Sequence, residues 1–198
     1  MSKLTFIKHL SLLILLFSTL HVSAQKNISL NNTTTLKPDI ERVVSDYYNH
    51  FYNIKGEKID ETRSTIEYRS KLMPQGAIES SITEIKSLNN VLSWQATMMD
   101  TDDYGIAVEE YKKLYQQLNG ANFKMYDKTY WKFSGTYDIP EEERAFASTI
   151  LEPSVAEKAL QRLKIEIALN YSLPDWTVKL IVYEKVSDED IRPTQIDH

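Results

Sequence analysis

Residues 93–120 read SWQATMMDTDDYGIAVEEYKKLYQQLNG, and the change of period inside them decides the fold class. Leu92, Trp94, Ala96 and Met98 alternate with polar neighbours, the pattern of a half-buried strand. After the acidic turn at Asp100 to Asp103 the apolar positions become Ala107, Val108, Tyr111, Tyr115 and Leu118, which is helical spacing. Gly120 is the expected stop.

The same alternation of types extends to both sides. Upstream, a helix is expected from Pro38, with Asp39 and Glu41 at its positive end. Ile40, Val43, Val44, Tyr47, Phe51 and Ile54 form its stripe, and Gly56 is its expected stop. From Thr62 the period becomes two, with Ser64, Ile66, Tyr68, Ser70 and Leu72 on one face. A turn at Met73 to Gly76 and a strand over 77–85 lead back to Trp94. Downstream, a long strand is expected over 128–137, with Trp131, Phe133, Gly135 and Tyr137 on one face, and further strands over 146–151, 163–171 and 176–185. Short turns join them, so they should pair antiparallel.

The fold class is therefore α+β: a mainly antiparallel sheet of six or seven strands, with two helices on one face. The opposite face would carry Arg63, Arg69, Lys71, Lys128, Lys132 and Lys179. A duplicated helix-strand-strand-strand unit is a further expectation. Tyr47 matches Tyr111 and Gly56 matches Gly120 at an offset of 64, and Ile66 matches Trp131 at 65. The competing explanation is that any amphipathic helix followed by strands aligns this way.

Met1 to Ala24 has the form of a secretory leader: Lys3 and Lys8, an apolar run from Leu10, and Val22-Ser23-Ala24 before Gln25. Its apolar run of about 11 residues falls short of the roughly 20 that span a bilayer. The expected division is a signal peptide at 1–24, a lead-in at 25–37, one domain at 38–186 with halves 38–103 and 104–186, and an acidic tail at 187–198. Removing 24 of 198 residues leaves 174, enough for one real core. Loss of Lys3 and Lys8 takes the formal charge from −5 to −7. With no basic cluster, nucleic acid is not an expected partner. Periplasmic or secreted localisation follows, without stable membrane insertion after cleavage.

The chain has no cysteine, hence neither disulfides nor thiolate metal sites. Asp100, Asp102 and Gly105 fit the start of a calcium loop, but Tyr104 and Tyr111 stand where ligands should be, so helix capping by Asp102 or Asp103 is the expectation. His50 is a lone helical histidine beside Asp46. No G-x-S-x-G, P-loop or dinucleotide glycine pattern occurs. No metal, cofactor or catalytic residue is assigned.

The leader ending Ser23-Ala24-Gln25 and the Tyr-rich, cysteine-free body resemble uncharacterised exported α+β proteins of Gram-negative bacteria. The element order is similar to that of small secretion-chaperone-like α+β folds. Neither resemblance implies functional residues. The expected function is an exported, non-enzymatic binding or assembly module acting on a protein or small apolar ligand. The alternatives are a carboxylate-dependent hydrolase of an envelope polymer and a carrier of a small apolar ligand. The expected site is the groove between the helices, lined by Tyr47, Tyr104, Tyr111 and Tyr115. Tyr126, Tyr130 and Tyr183 are the tyrosines left over to line a cleft or surface.

Overall fold

A computed structural model describes residues 36–86, 91–155 and 160–185. The expected leader, nearly all of the lead-in and the acidic tail lie outside these residues.

The elements in chain order are α1 (Lys37–Asp46), a 3-10 turn (Tyr47–Asn49), β1 (Lys55–Glu61), β2 (Thr65–Ser70), β3 (Glu79–Ile85) and β4 (Val91–Thr101). Then come α2 (Tyr104–Leu118), β5 (Asn122–Lys124), β6 (Tyr130–Ser134), β7 (Phe146–Pro153), a 3-10 turn (Leu160–Arg162), β8 (Leu163–Ser172) and β9 (Asp175–Glu184). The strands form one sheet in the order β1-β2-β3-β4-β9-β8-β7-β6-β5, and every neighbouring pair is antiparallel. The α+β class and the antiparallel sheet stand as expected; the count of six or seven strands is corrected to nine. No described helix is long and apolar enough to cross a membrane.

The two strands that escape the alternating pattern are β1 and β5. Both lie at sheet edges, directly after a helix. β1 reads KGEKIDE, with five exposed residues in a row, because an edge strand gains from charge on both faces. β5 holds three residues and one buried side chain, Phe123.

Register sets which residues share the core. Tyr68, Ile82, Trp94, Val182, Ile165 and Leu151 stand side by side across six strands. They belong to one apolar cluster, which also takes Ile40, Val43 and Val44 of α1 and Ala107, Tyr111, Leu114 and Leu118 of α2. The alternate row, Glu67, Thr83, Ser93, Tyr183 and Lys164, is polar. A bulge between Thr97 and Met99 in β4 changes the phase, so that Met99 and Thr101 line up with Val178 and Trp176. Trp94 has no exposed surface, and its indole N–H donates to Ser70 Oγ at 3.1 Å. The burial is thus obtained without an orphaned donor.

α2 starts where Asp103 caps it, its Oδ1 accepting from Ile106 N at 3.1 Å. Asp100 is used differently, accepting from Thr177 Oγ1 at 3.2 Å across β4 and β9. Gly120 takes the left-handed conformation expected of a helix stop, at φ 76°, and its N–H donates to Phe133 O.

The expected helix to Ile54 ends instead at Asp46, and Gly56 is no helix stop but part of β1. A Cβ at Gly56 would sit 2.6 Å from Arg69 O, so glycine is required by the close pass of β1 over β2. Gly135 is tighter: a Cβ there would overlap the Ile150 carbonyl. This brings the segment after β6 onto the free edge of β7. Asp138 then bonds that edge, its Oδ2 accepting from Ser148 N at 3.1 Å and from Arg144 Nη2 at 2.9 Å. The Arg144 bond is the main reason its carboxyl titrates below the usual range.

Gly135→Ala should therefore destabilise the fold by about 1–3 kcal/mol, the usual range for overpacking against structure that cannot move. A guanidinium titration reads this as a lower midpoint at unchanged slope; an unaltered midpoint would show that the 135–139 segment is not held against β7.

Candidate functional site

The clearest small-molecule-sized cleft free of ion-paired walls starts at the end of α1. Asp46 is 7% exposed and stops the helix by drawing the following chain back onto itself. Its Oδ2 accepts from Asn53 N at 3.0 Å and Ile54 N at 3.2 Å, and its Oδ1 from Asn53 Nδ2 at 2.6 Å and Asn49 Nδ2 at 3.3 Å. An aspartate offers the backbone this alternative to continuing a helix. His50 and Phe51 take left-handed φ values of 52° and 56° to complete the reversal. Phe51 repays the strain by complete burial. The 3.6-residue stripe runs on through Phe51 and Ile54 because the turn also points them inward. His50 is exposed, and Asp46 is engaged by Asn49, Asn53 and Ile54.

The opposite wall is the β5–β6 hairpin. Its turn is closed by Met125 N to Thr129 O at 2.8 Å and Lys128 N to Met125 O at 2.9 Å. Asp127 braces it, accepting from Thr129 N and Thr129 Oγ1 at 2.9 and 2.6 Å, which lowers its pKa. Met125 is driven inward while Tyr126 is left 79% exposed. The hairpin is docked on α1 by Lys124 N donating to Glu41 Oε2 at 2.9 Å, and by Tyr48 packing edge-on to Trp131 at 5.9 Å.

Between these walls lies a cleft of about 470 Å³. Ile54, Met125 and Asp46 are its buried residues. Arg42, Ser45, Lys124, Tyr126 and Lys128 complete the lining together with Glu41 and Asn53. Glu41 and Asp46 are both bonded to backbone N–H groups. Arg42, Lys124 and Lys128 have no carboxylate partner among the described residues. A second cavity, of about 630 Å³, lies where β7 and β8 end. There Lys164 is paired with Glu152 at 2.7 Å and Arg162 with Glu184 at 3.1 Å, so two of its three cations, Lys185 being the third, are ion-paired.

Comparison with known proteins adds no relative. No protein-family model, curated protein or solved structure matches the chain.

The four tyrosines singled out from the sequence line neither cavity. Tyr111 is fully buried, and its hydroxyl shares a 2.6 Å hydrogen bond with Thr149 Oγ1. Burial is the main cause that pushes its pKa up to about 12. Tyr47 donates to Glu184 Oε2 at 2.6 Å, and burial followed by that bond raises its pKa strongly. Tyr115 packs on Tyr137 at 4.9 Å and donates to Gly135 O at 3.2 Å. Tyr104 packs on Trp176 at 4.9 Å. The fold brings Tyr111 and Tyr115 together around Tyr137 and leaves Tyr47 and Tyr104 with other partners. Of the leftover tyrosines, Tyr126 does line the cleft, while Tyr183 stands over Glu166, where burial and then that carboxylate's charge raise its pKa. Glu166 also accepts from Ser148 Oγ at 2.5 Å. The cleft's cations carried no sequence signal, since Arg42, Lys124 and Lys128 come from three different elements.

Tyr111→Phe should cost about 1–2 kcal/mol through the lost buried hydrogen bond, since Thr149 keeps the one it accepts from Asp138 N. Thermal unfolding checks the cost, and a Tyr111 variant as stable as the parent would place that hydroxyl in contact with water.

Proposed function

We propose that the protein is an exported binding module that takes a small ligand, or a compact group on a partner, in the cleft between α1 and the β5–β6 hairpin. It holds that ligand without chemical turnover. One observation carries the reading: in a chain of formal charge −5, Arg42, Lys124 and Lys128 converge on one cleft whose own acids, Glu41 and Asp46, are bonded to backbone N–H groups. The size supports it too, since small-molecule sites commonly enclose about 300–1,000 Å³. Against turnover, the carboxylates whose pKa values are displaced (Glu61, Asp127 and Asp138) are displaced downward by hydrogen-bond and cation partners. A general acid needs the opposite shift.

The architecture is best read as two copies of a helix followed by a strand meander. In support, α1 precedes β1–β4, α2 precedes β5–β9, and the closing strands β4 and β9 pair antiparallel at the middle of the sheet. Counted outward from that pair, β2 corresponds to β7, so the 65-residue match of Ile66 with Trp131 joins strands of unequal rank. Superposing β1–β4 on β6–β9 should carry α1 onto α2, and helices left far apart by that rotation would overturn the duplication.

Screening a small-molecule panel by melting temperature tests the binding reading. A ligand at 100 times its Kd should raise Tm by about 5–10 °C in a domain of this size. Ser45→Tyr, which fills the cleft from α1, should abolish the shift, and mass spectrometry should return the ligand unchanged. Hits that persist in Ser45→Tyr, or a ligand that is converted, would defeat the reading.

A further inference from the structure

Resting on that reading of the cleft, we infer that its ligand is an oxyanion carried on a ring, the chemistry of a phosphorylated or carboxylated sugar. The lining of the cleft holds both charged and apolar side chains. Arg42 projects from α1, Lys124 from β5 and Lys128 from the hairpin turn, so positive charge approaches from three elements. Ser45 lies three residues after Arg42, on the same helical side, and adds a hydroxyl. A guanidinium fork grips a carboxylate or phosphate through two parallel N–H bonds, while lysines add charge without fixing geometry.

The lining carries three cations against Glu41 and Asp46, a formal surplus of one positive charge. A bound monoanion would bring the lining to neutrality, whereas a cation would add to the surplus. Asp46 does not offset this by binding the ligand, because both of its oxygens already accept from Asn49, Asn53 and Ile54.

Tyr126, Met125 and Ile54 supply the apolar share of the lining, against which a ring can rest. Tyr126 is 79% exposed at the rim, and an exposed tyrosine gives a sugar or aromatic ring a flat apolar surface. Asn53 donates one of its two amide N–H groups to Asp46 Oδ1, which fixes the amide and leaves its carbonyl oxygen to accept from a ring hydroxyl. Its place is fixed by the same bonds that stop α1, so the site is preorganised by the fold rather than by the ligand.

The test uses the full chain labelled with ¹⁵N and titrated at constant ionic strength. The probes are inorganic phosphate, glucose 6-phosphate, glucuronate, glucose and glucosamine. Saturable shifts of the Ser45, Asn53 and Tyr126 amides are expected with both anionic sugars, and at least about tenfold weaker binding with glucose. A glucose 6-phosphate Kd far below that of glucuronate assigns the oxyanion to phosphate, and the reverse assigns it to carboxylate. Lys124→Gln with Lys128→Gln should weaken both anionic sugars about tenfold or more. Tyr126→Ala should weaken the sugars and leave inorganic phosphate unchanged. Glucose or glucosamine binding as tightly as the anions, or no shift with any probe, overturns the assignment. Neutral hits in the melting screen that vanish in Ser45→Tyr would sink this inference alone. A screen without a single cleft-dependent hit would sink the binding reading itself.

Discussion

The length of α2 is the constraint on which the rest of the structure depends. It has 15 residues, hence an axis of about 22 Å at 1.5 Å per residue. The chain leaves β4 in the middle of the sheet and re-enters it as β5, five strand positions away. At about 4.8 Å between strands that is about 24 Å. The helix and the crossing therefore match. A helix two turns shorter would set the chain down nearer β4 and leave too little room for the four strands that follow. With this length, β6, β7, β8 and β9 fill the gap one by one, and β9 closes against β4 over eight paired positions. The deepest part of the core lies at this closure, where Trp94, Ala96, Leu180 and Val182 have no exposed surface.

The far edge that α2 delivers is also what makes the cleft. β5 is too short to shield itself, and one of its backbone donors, Lys124 N, is taken by the side chain of Glu41 rather than by another strand. A carboxylate thus caps the sheet edge, which limits pairing with a further strand. The same bond holds the hairpin at a fixed distance from α1. Asp46 holds the other lip by gathering the amides of Asn53 and Ile54. Two acids spent on backbone therefore define a gap that neither needs to fill.

How far the sequence reveals this depends on what each residue is paired with. Trp94, Ala96 and Met98, and the run Leu163 to Leu169, show their period because one sheet face is buried, and the face is what periodicity reports. The order of the strands was not legible beyond hairpin neighbours, since the β4–β9 pair joins residues such as Ser93 and Tyr183, 90 positions apart. β1 was hidden because an exposed edge strand has no apolar face to display. The end of α1 was hidden because Phe51 and Ile54 continue a helical stripe by way of a turn. Asp46 and the two asparagines, Asn49 and Asn53, were the available signal, and only their hydrogen bonds reveal that they act together. Tyr111 is conspicuous in the sequence because it sits in the core stripe, and its hydroxyl meets Thr149 there.

Charge placement separates the cleft from the rest of the surface. Glu61 shows the ordinary use of an acid here: bonds from Lys58 and Lys86 pull its carboxyl down to about 2. Lys55, Arg69, Lys113, Arg144 and Lys164 each have an acidic partner within about one strand or helical turn. Other described bases, Arg63, Lys71, Lys132 and Lys179 among them, also have no acidic partner, so what marks the cleft is that three such bases converge there. Arg42 meets Lys124 and Lys128, which follow it by more than 80 positions in one hairpin, at a gap whose own acids are bound to backbone. They are brought together by the crossing of α2 and the turn after Asp46. The convergence is therefore a product of topology, which periodicity and local composition do not report.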